Sequence, residues 1–300
     1  MIHYNTLITA LFMVLAFTAC SSPAPAALPE AISTATPLTA KFTALSTPVP
    51  VFTPTLPGAS GCAESIGRVE KGEITAPDIG KPLTYQVYLP PCYDPQKPGG
   101  YPLLVLLHGQ GYPASHWIDL GAVNLSDHMI ANGSAAPFIM LFPFEEYHLQ
   151  PVTESPYGDT LIKNLLPALE KDYAVCNQRE CRAIGGISRG AVWAARIALA
   201  HPDQFGSLGL HSITDYPYST YKTGLLLRQA VSNGYALRIR ADIGAEDGYR
   251  KNFNRFLLIL DENNIPYESV NFTGKHEDAY WGSQMETYLR WYAAGWPVNR

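Results

Sequence analysis

From residue 181 the chain reads Cys-Arg-Ala-Ile-Gly-Gly-Ile-Ser-Arg-Gly and then enters a run rich in alanine up to residue 200. An apolar strand therefore passes through Gly186-x-Ser188-x-Gly190 directly into a helix. That arrangement forces Ser188 into a tight strand-to-helix turn, which lifts its hydroxyl above the end of a parallel sheet where a base can reach it. The pentapeptide alone is weak evidence, because glycine and serine are common. Its neighbours carry the weight. Ala191, Ala194, Ala195 and Ala198 are small residues that let the helix pack closely on the sheet.

The rest of the chain sets this segment in one folded domain. Of 300 residues, the first sixty do not read as folding sequence, which leaves about 240 for a single α/β domain. Residues 1–20 read as an export signal whose apolar core, 7–17, is too short to span a bilayer. The signal ends in Phe17-Thr18-Ala19-Cys20-Ser21-Ser22, the pattern of a lipobox in which Cys20 receives a lipid, so a membrane anchor is expected. Ordinary cleavage near Ala24-Pro25-Ala26 is the alternative. Residues 21–60 form a linker dominated by Pro, Thr, Ser and Ala, which favours extended, solvated backbone. The domain occupies 61–300. Hydrophobic residues make up 47% and charged residues 16%, with a net charge of −5 and no basic stripe. Nucleic acid is excluded as a partner on that ground.

Beyond Cys20 there are four cysteines, an even number in an exported chain, which makes disulfides the expectation. Cys176 with Cys181 is favoured because the residues between them read as a turn, and Cys62 with Cys92 because it would pin the start of the domain to the end of an early strand. No Cys-x-x-Cys pair or neighbouring histidine suggests a metal, and no cofactor is expected.

Strands and helices alternate along the domain. Residues 85–89, 103–107, 138–142, 205–210, 237–243 and 267–272 read as strands, with 103–107 a continuous aliphatic run expected of a strand buried on both faces. Helices are expected at 126–131, 223–232, 249–261 and 279–291. Another runs from a cap at Asp159 to residue 173, with Pro167 bending it. Alternation of this kind implies a mostly parallel sheet with helices on both faces.

In such sheets chemistry collects at the carboxyl ends of the strands. Ser188, the turn at His108-Gly109-Gln110, Asp247 and His276 each follow a strand. A serine hydroxyl needs an imidazole to take its proton and a carboxylate to fix that imidazole's tautomer. The chain order Ser188, Asp247, His276 is that of α/β-hydrolases. Backbone N–H groups of Arg189 and Gln110 are the expected oxyanion donors. Glu246 and Asp242 compete with Asp247 for the acid role. His201 reads as a helix cap and His211 as a core or supporting residue, while His116, His128 and His148 precede the nucleophile and are disfavoured by order. Neighbours His276, Glu277 and Asp278 cannot all face one metal, and Glu145-Glu146 reads as a solvated loop.

Taken together, the segments 101–109, 186–190, His201-Pro202-Asp203-Gln204-Phe205-Gly206 and Gly274-Lys275-His276 followed by Tyr280-Trp281 resemble an esterase family of α/β-hydrolase fold. That family includes feruloyl and acetyl-xylan esterases, siderophore esterases, S-formylglutathione hydrolase and mycolyltransferases. The resemblance covers about residues 61–291. It implies a serine carboxylesterase with Ser188, Asp247 and His276 as nucleophile, acid and base. Two departures stand beside the site: Ala191 where a second glycine is common, and Lys275 where a small residue is usual. Trp117, Tyr280 and Trp281 are expected to bind substrate, and Trp193 to pack in the core. Exported on a tether, the enzyme is expected to act on a feruloyl- or acetyl-type ester of an extracellular polysaccharide. Acyl transfer to a sugar hydroxyl, siderophore ester cleavage and a non-catalytic surface binding protein are the alternatives.

Overall fold

The computed structural model describes residues 62–146 and 149–296. The expected signal, lipidation site at Cys20 and linker lie outside the described residues, as does His148. Eight strands form one sheet in the order β1-β2-β4-β3-β5-β6-β7-β8. They are β1 (Arg68–Ile74), β2 (Leu83–Leu89), β3 (Leu103–Leu107), β4 (Ile139–Pro143), β5 (Arg182–Ile187), β6 (Ser207–His211), β7 (Arg238–Gly244) and β8 (Tyr267–Phe272). From β4 to β8 every pairing is parallel, while β1 and β2 run antiparallel at one edge. The six parallel strands therefore end on the same edge.

The central strands are mostly apolar and buried at every position in β3, β4, β5 and β6, because helices cover both faces. The helices are α1 (His116–Asp119), α2 (Ala122–Ala131), α3 (Tyr157–Thr160), α4 (Leu166–Asp172), α5 (Arg189–Ala200), α6 (Thr220–Ser232), α7 (Arg250–Glu262) and α8 (Asp278–Ala294). One core contains α4, α5, α6 and α7 side chains with alternate strand residues such as Leu103, Val105 and Ile184. The other contains Trp117, Met129 and the aromatic face of α8 with Leu104, Leu106 and Met140.

Three expectations need correction. Asp159 does not cap its helix; it lies inside α3 and pairs with Lys163 at 3.0 Å. The helix expected from there to residue 173 is three pieces, α3, a wider turn over Leu161–Leu165 and α4. Pro167 falls in the first turn of α4, where its missing N–H leaves no gap. Glu145 is not solvated: it is 4% exposed and holds Arg189 through both carboxylate oxygens at 2.8 Å. The strand β1 had no place in the sequence reading. Disulfides join Cys62 to Cys92 and Cys176 to Cys181, with Cα separations of 5.8 and 6.3 Å.

Candidate active site

Ser188 stands between β5 and α5 with φ 57° and ψ −120°, a left-handed conformation that a serine adopts only when its surroundings enforce it. The two motif glycines are part of that enforcement. A Cβ on Gly186 would strike the backbone of Gly190, and one on Gly190 would strike the carbonyl of Leu107 at the end of β3. Helix α5 thus enters against bare backbone. The Ser188 N–H donates to the His211 carbonyl at 2.9 Å, tying the turn to the end of β6.

The turns after β7 and β8 are stitched together. Ala245 N–H donates to the Phe272 carbonyl at 2.7 Å and Glu246 N–H to the Gly274 carbonyl at 2.9 Å. A Cβ on Gly244 would collide with that same carbonyl. This close approach sets Asp247 beside His276. The imidazole Nδ1–H donates to Asp247 Oδ2 at 2.8 Å, which leaves Nε2 free to accept the Ser188 hydroxyl at 2.9 Å. His276 is partly exposed, whereas the Asp247 side chain is fully buried. Burial works to raise the Asp247 pKa. Hydrogen bonds from His276, the Tyr249 N–H and the Ser212 hydroxyl, with the charge of His276, outweigh it and hold the carboxyl below its ordinary value.

The two rivals to Asp247 are occupied otherwise. Glu246 is exposed. Asp242 is fully buried beneath the site and accepts from His211 Nδ1 at 2.6 Å, Tyr280 at 2.8 Å and Tyr288 at 2.7 Å. His211 completes that network through Nε2 and Tyr292 at 2.9 Å. His201 is the residue that closes α5.

Across from Ser188 lies the turn 108–111. His108 Nδ1–H donates to the Gly109 carbonyl at 2.8 Å, and its Nε2 accepts the Glu145 N–H at 2.8 Å. Burial depresses the His108 pKa, which suits this neutral form. The Gly109 carbonyl and the Gln110 N–H belong to one planar trans peptide, so fixing the first turns the second the opposite way. The Gln110 N–H meets no acceptor among the described residues. Arg189, which follows the nucleophile, is clamped by Glu145. One acidic residue therefore ties together both segments expected to supply oxyanion donors.

The aromatic residues expected to bind substrate are placed differently. Trp117 is fully buried and its indole N–H donates to the Leu107 carbonyl at 3.0 Å. Tyr280 is buried on Asp242. Trp281 is 2% exposed, donates to Ser212 Oγ at 3.0 Å and sets its ring edge against His276 at 5.0 Å. All three lie on the core side of the site, Trp117 from α1 and Tyr280 and Trp281 from the aromatic face that α8 turns to the sheet. Trp193 is also buried. An aromatic ring that does reach solvent there is Tyr249, 41% exposed and 4.7 Å from the His276 ring. Position alone, two residues beyond Asp247, was the only signal for it. Of the two departures from the family pattern, Ala191 is fully buried and Lys275 points to solvent.

Comparison with known proteins agrees with this architecture. A curated relative, the endo-1,4-beta-xylanase/feruloyl esterase of Xylanibacter ruminicola, is 30% identical over 156 residues, 49% of this chain. The chain spans only 22% of that relative's length. Among solved structures, a ferulic acid esterase superposes with TM-score 0.67 at 22% identity, covering 77% of this chain and 99% of its own. A mutant of the feruloyl esterase module from Clostridium thermocellum complexed with sinapinate gives 0.68 at 20% identity, covering 79% and 91%. S-formylglutathione hydrolase from Staphylococcus aureus gives 0.62 at 17% identity, covering 76% and 99%. These likenesses establish the α/β-hydrolase fold. The family model described as "Putative esterase" matches residues 76–292, and the chain accordingly belongs to this family.

Proposed function

We propose that the protein is a serine carboxylesterase that works through an acyl-enzyme on Ser188. The observation that carries this is the unbroken hydrogen-bonded line from Ser188 through His276 to a buried, ionised Asp247. His276 Nε2 takes the hydroxyl proton as Oγ attacks the ester carbonyl, and Asp247 stabilises the resulting imidazolium. The developing oxyanion is received by the Gln110 and Arg189 N–H groups. The imidazolium then protonates the departing alcohol. Water, activated by the same imidazole, releases the acid and restores the serine.

For the acyl group we favour an aromatic acid of feruloyl type. The exposed Tyr249 ring offers it a stacking surface beside the base, and the Xylanibacter relative and two of the three solved structures named above are feruloyl or ferulic acid esterases. A cleft of about 490 Å³ between Pro113, Phe144 and the polar side chains Lys71, Glu73 and Gln86 offers room for the sugar that bears the ester. Export, with Cys20 as lipid anchor, fits the two disulfides. Among the described residues no helix is long and apolar enough to cross a membrane.

The test is fluorophosphonate labelling with hydrolysis of p-nitrophenyl acetate and methyl ferulate. The full-length protein is expected to label and turn over, and Ser188→Ala to do neither. A folded wild type that neither labels nor hydrolyses would falsify the assignment. Labelling with radioactive palmitate, abolished in Cys20→Ala, tests the anchor.

A further inference from the structure

A second histidine, unused in the scheme above, grips the oxyanion turn. His116 opens α1 and is 2% exposed. Its Nδ1 accepts the Gly109 N–H at 3.2 Å, and its Nε2–H donates to Asp278 Oδ1 at 3.2 Å. Tyr112 stacks on the ring at 3.7 Å, and its hydroxyl also feels the Asp278 carboxylate. Trp281 sets an edge against it at 5.9 Å. The same indole stands 5.0 Å from His276, so the base and the oxyanion turn share one wall.

We propose that His116 is a positioning residue for ester hydrolysis: its neutral imidazole fixes Gly109 so that the Gln110 N–H faces the oxyanion, and its protonation releases that turn. The inference rests on the functional reading above, in which Gln110 is an oxyanion donor. The chemistry is that of a single lone pair. Only the neutral ring can accept the Gly109 N–H; the imidazolium would set one N–H against another across 3.2 Å. Together with His108 on the carbonyl side, His116 holds Gly109 at both of its peptide groups. The charged and titratable groups facing it are Asp278 on α8, Asp119 on its own helix, His108 at the end of β3 and Tyr112 in the turn. Burial depresses the His116 pKa against the pull of Asp278 and Asp119. The accepting form therefore persists at neutral pH and is lost only in acid.

The experiment compares kcat, KM and the acid limb of kcat for the full-length wild type, Ser188→Ala, His116→Phe and His116→Asn on p-nitrophenyl acetate. His116→Phe is expected to lower kcat by about tenfold or more while KM changes by less than about twofold, since the acceptor orients a group that matters only in the transition state. His116→Asn, whose amide oxygen can accept the Gly109 N–H, is expected to recover most of that loss. In the wild type the acid limb steepens from one proton to two, and in both variants it stays at one. Wild-type kcat in His116→Phe, or an acid limb unaltered by either variant, overturns the proposal. Should His116→Phe not fold, Asp278→Asn decides: loss of the carboxylate moves the second protonation to lower pH, and an unmoved limb overturns the proposal. An active wild type with inactive Ser188→Ala and indifferent His116 variants sinks this inference alone. An inactive wild type sinks the esterase reading and this inference with it.

Discussion

At Ser188 the backbone is held in a conformation that costs on the order of 1–3 kcal/mol, and what it gains is a hydroxyl aimed at His276. The acid behind that histidine is separable from its rivals by substitution. Asp247→Asn is expected to lower kcat by roughly 10³–10⁴-fold with the fold intact, because the amide no longer selects the tautomer that leaves Nε2 free. Asp242→Asn is expected to act on stability instead, by disturbing three buried hydrogen bonds; urea unfolding beside steady-state kinetics separates the two. Asp247 also makes stability depend on pH. Its folded pKa lies below the ordinary 3.8, so its contribution is present above that value and drains away as pH falls through the folded one. The gap in urea midpoint between wild type and Asp247→Asn should therefore shrink between about pH 6 and about pH 3. For Tyr249→Ala, KM for methyl ferulate is expected to rise about tenfold with little change for the acetyl ester, a loss of about 1.4 kcal/mol of stacking. Equal effects on both esters would remove Tyr249 from acyl recognition.

Among the elements, β5 and α5 meet through bare backbone where one turns into the other, at Gly186 and Gly190. Gly209 illustrates how little slack remains beneath them: a Cβ there would overlap the Tyr292 hydroxyl that serves His211. Gly209→Ala is expected to destabilise the protein by about 1–3 kcal/mol, read from thermal unfolding. The buried strands were legible because a continuous aliphatic run such as 103–107 has no other economical use. Strand β1 was not legible. Its sequence, Arg-Val-Glu-Lys-Gly-Glu-Ile, is mostly exposed at the sheet edge, so charge masks the alternation that pairing imposes. The break at Leu161–Leu165 was likewise hidden, since Pro167 signals a disturbance without saying which turn absorbs it.

Over the whole molecule, the Cys62–Cys92 bridge closes a loop of 30 residues that holds β1 and β2. Its reduction is expected to lower stability by about 3–4 kcal/mol through the freed unfolded chain, while hydrolysis persists under native conditions because the bridge stands clear of the triad. Activity and urea midpoint measured with and without reductant check this. By itself the sequence determined the alternating order of strands and helices, the nucleophile turn and the chain order of Ser188, Asp247 and His276, because each is written in local composition and spacing. Only the tertiary structure decided which aromatic rings face solvent, that His276 meets Asp247 rather than Glu246 or Asp242, and that Glu145, His108 and His116 hold the 108–111 turn. The physical reason is that burial and hydrogen-bond partnership belong to residues far apart in the chain: Asp278 and His116 are separated by 162 positions and meet at 3.2 Å.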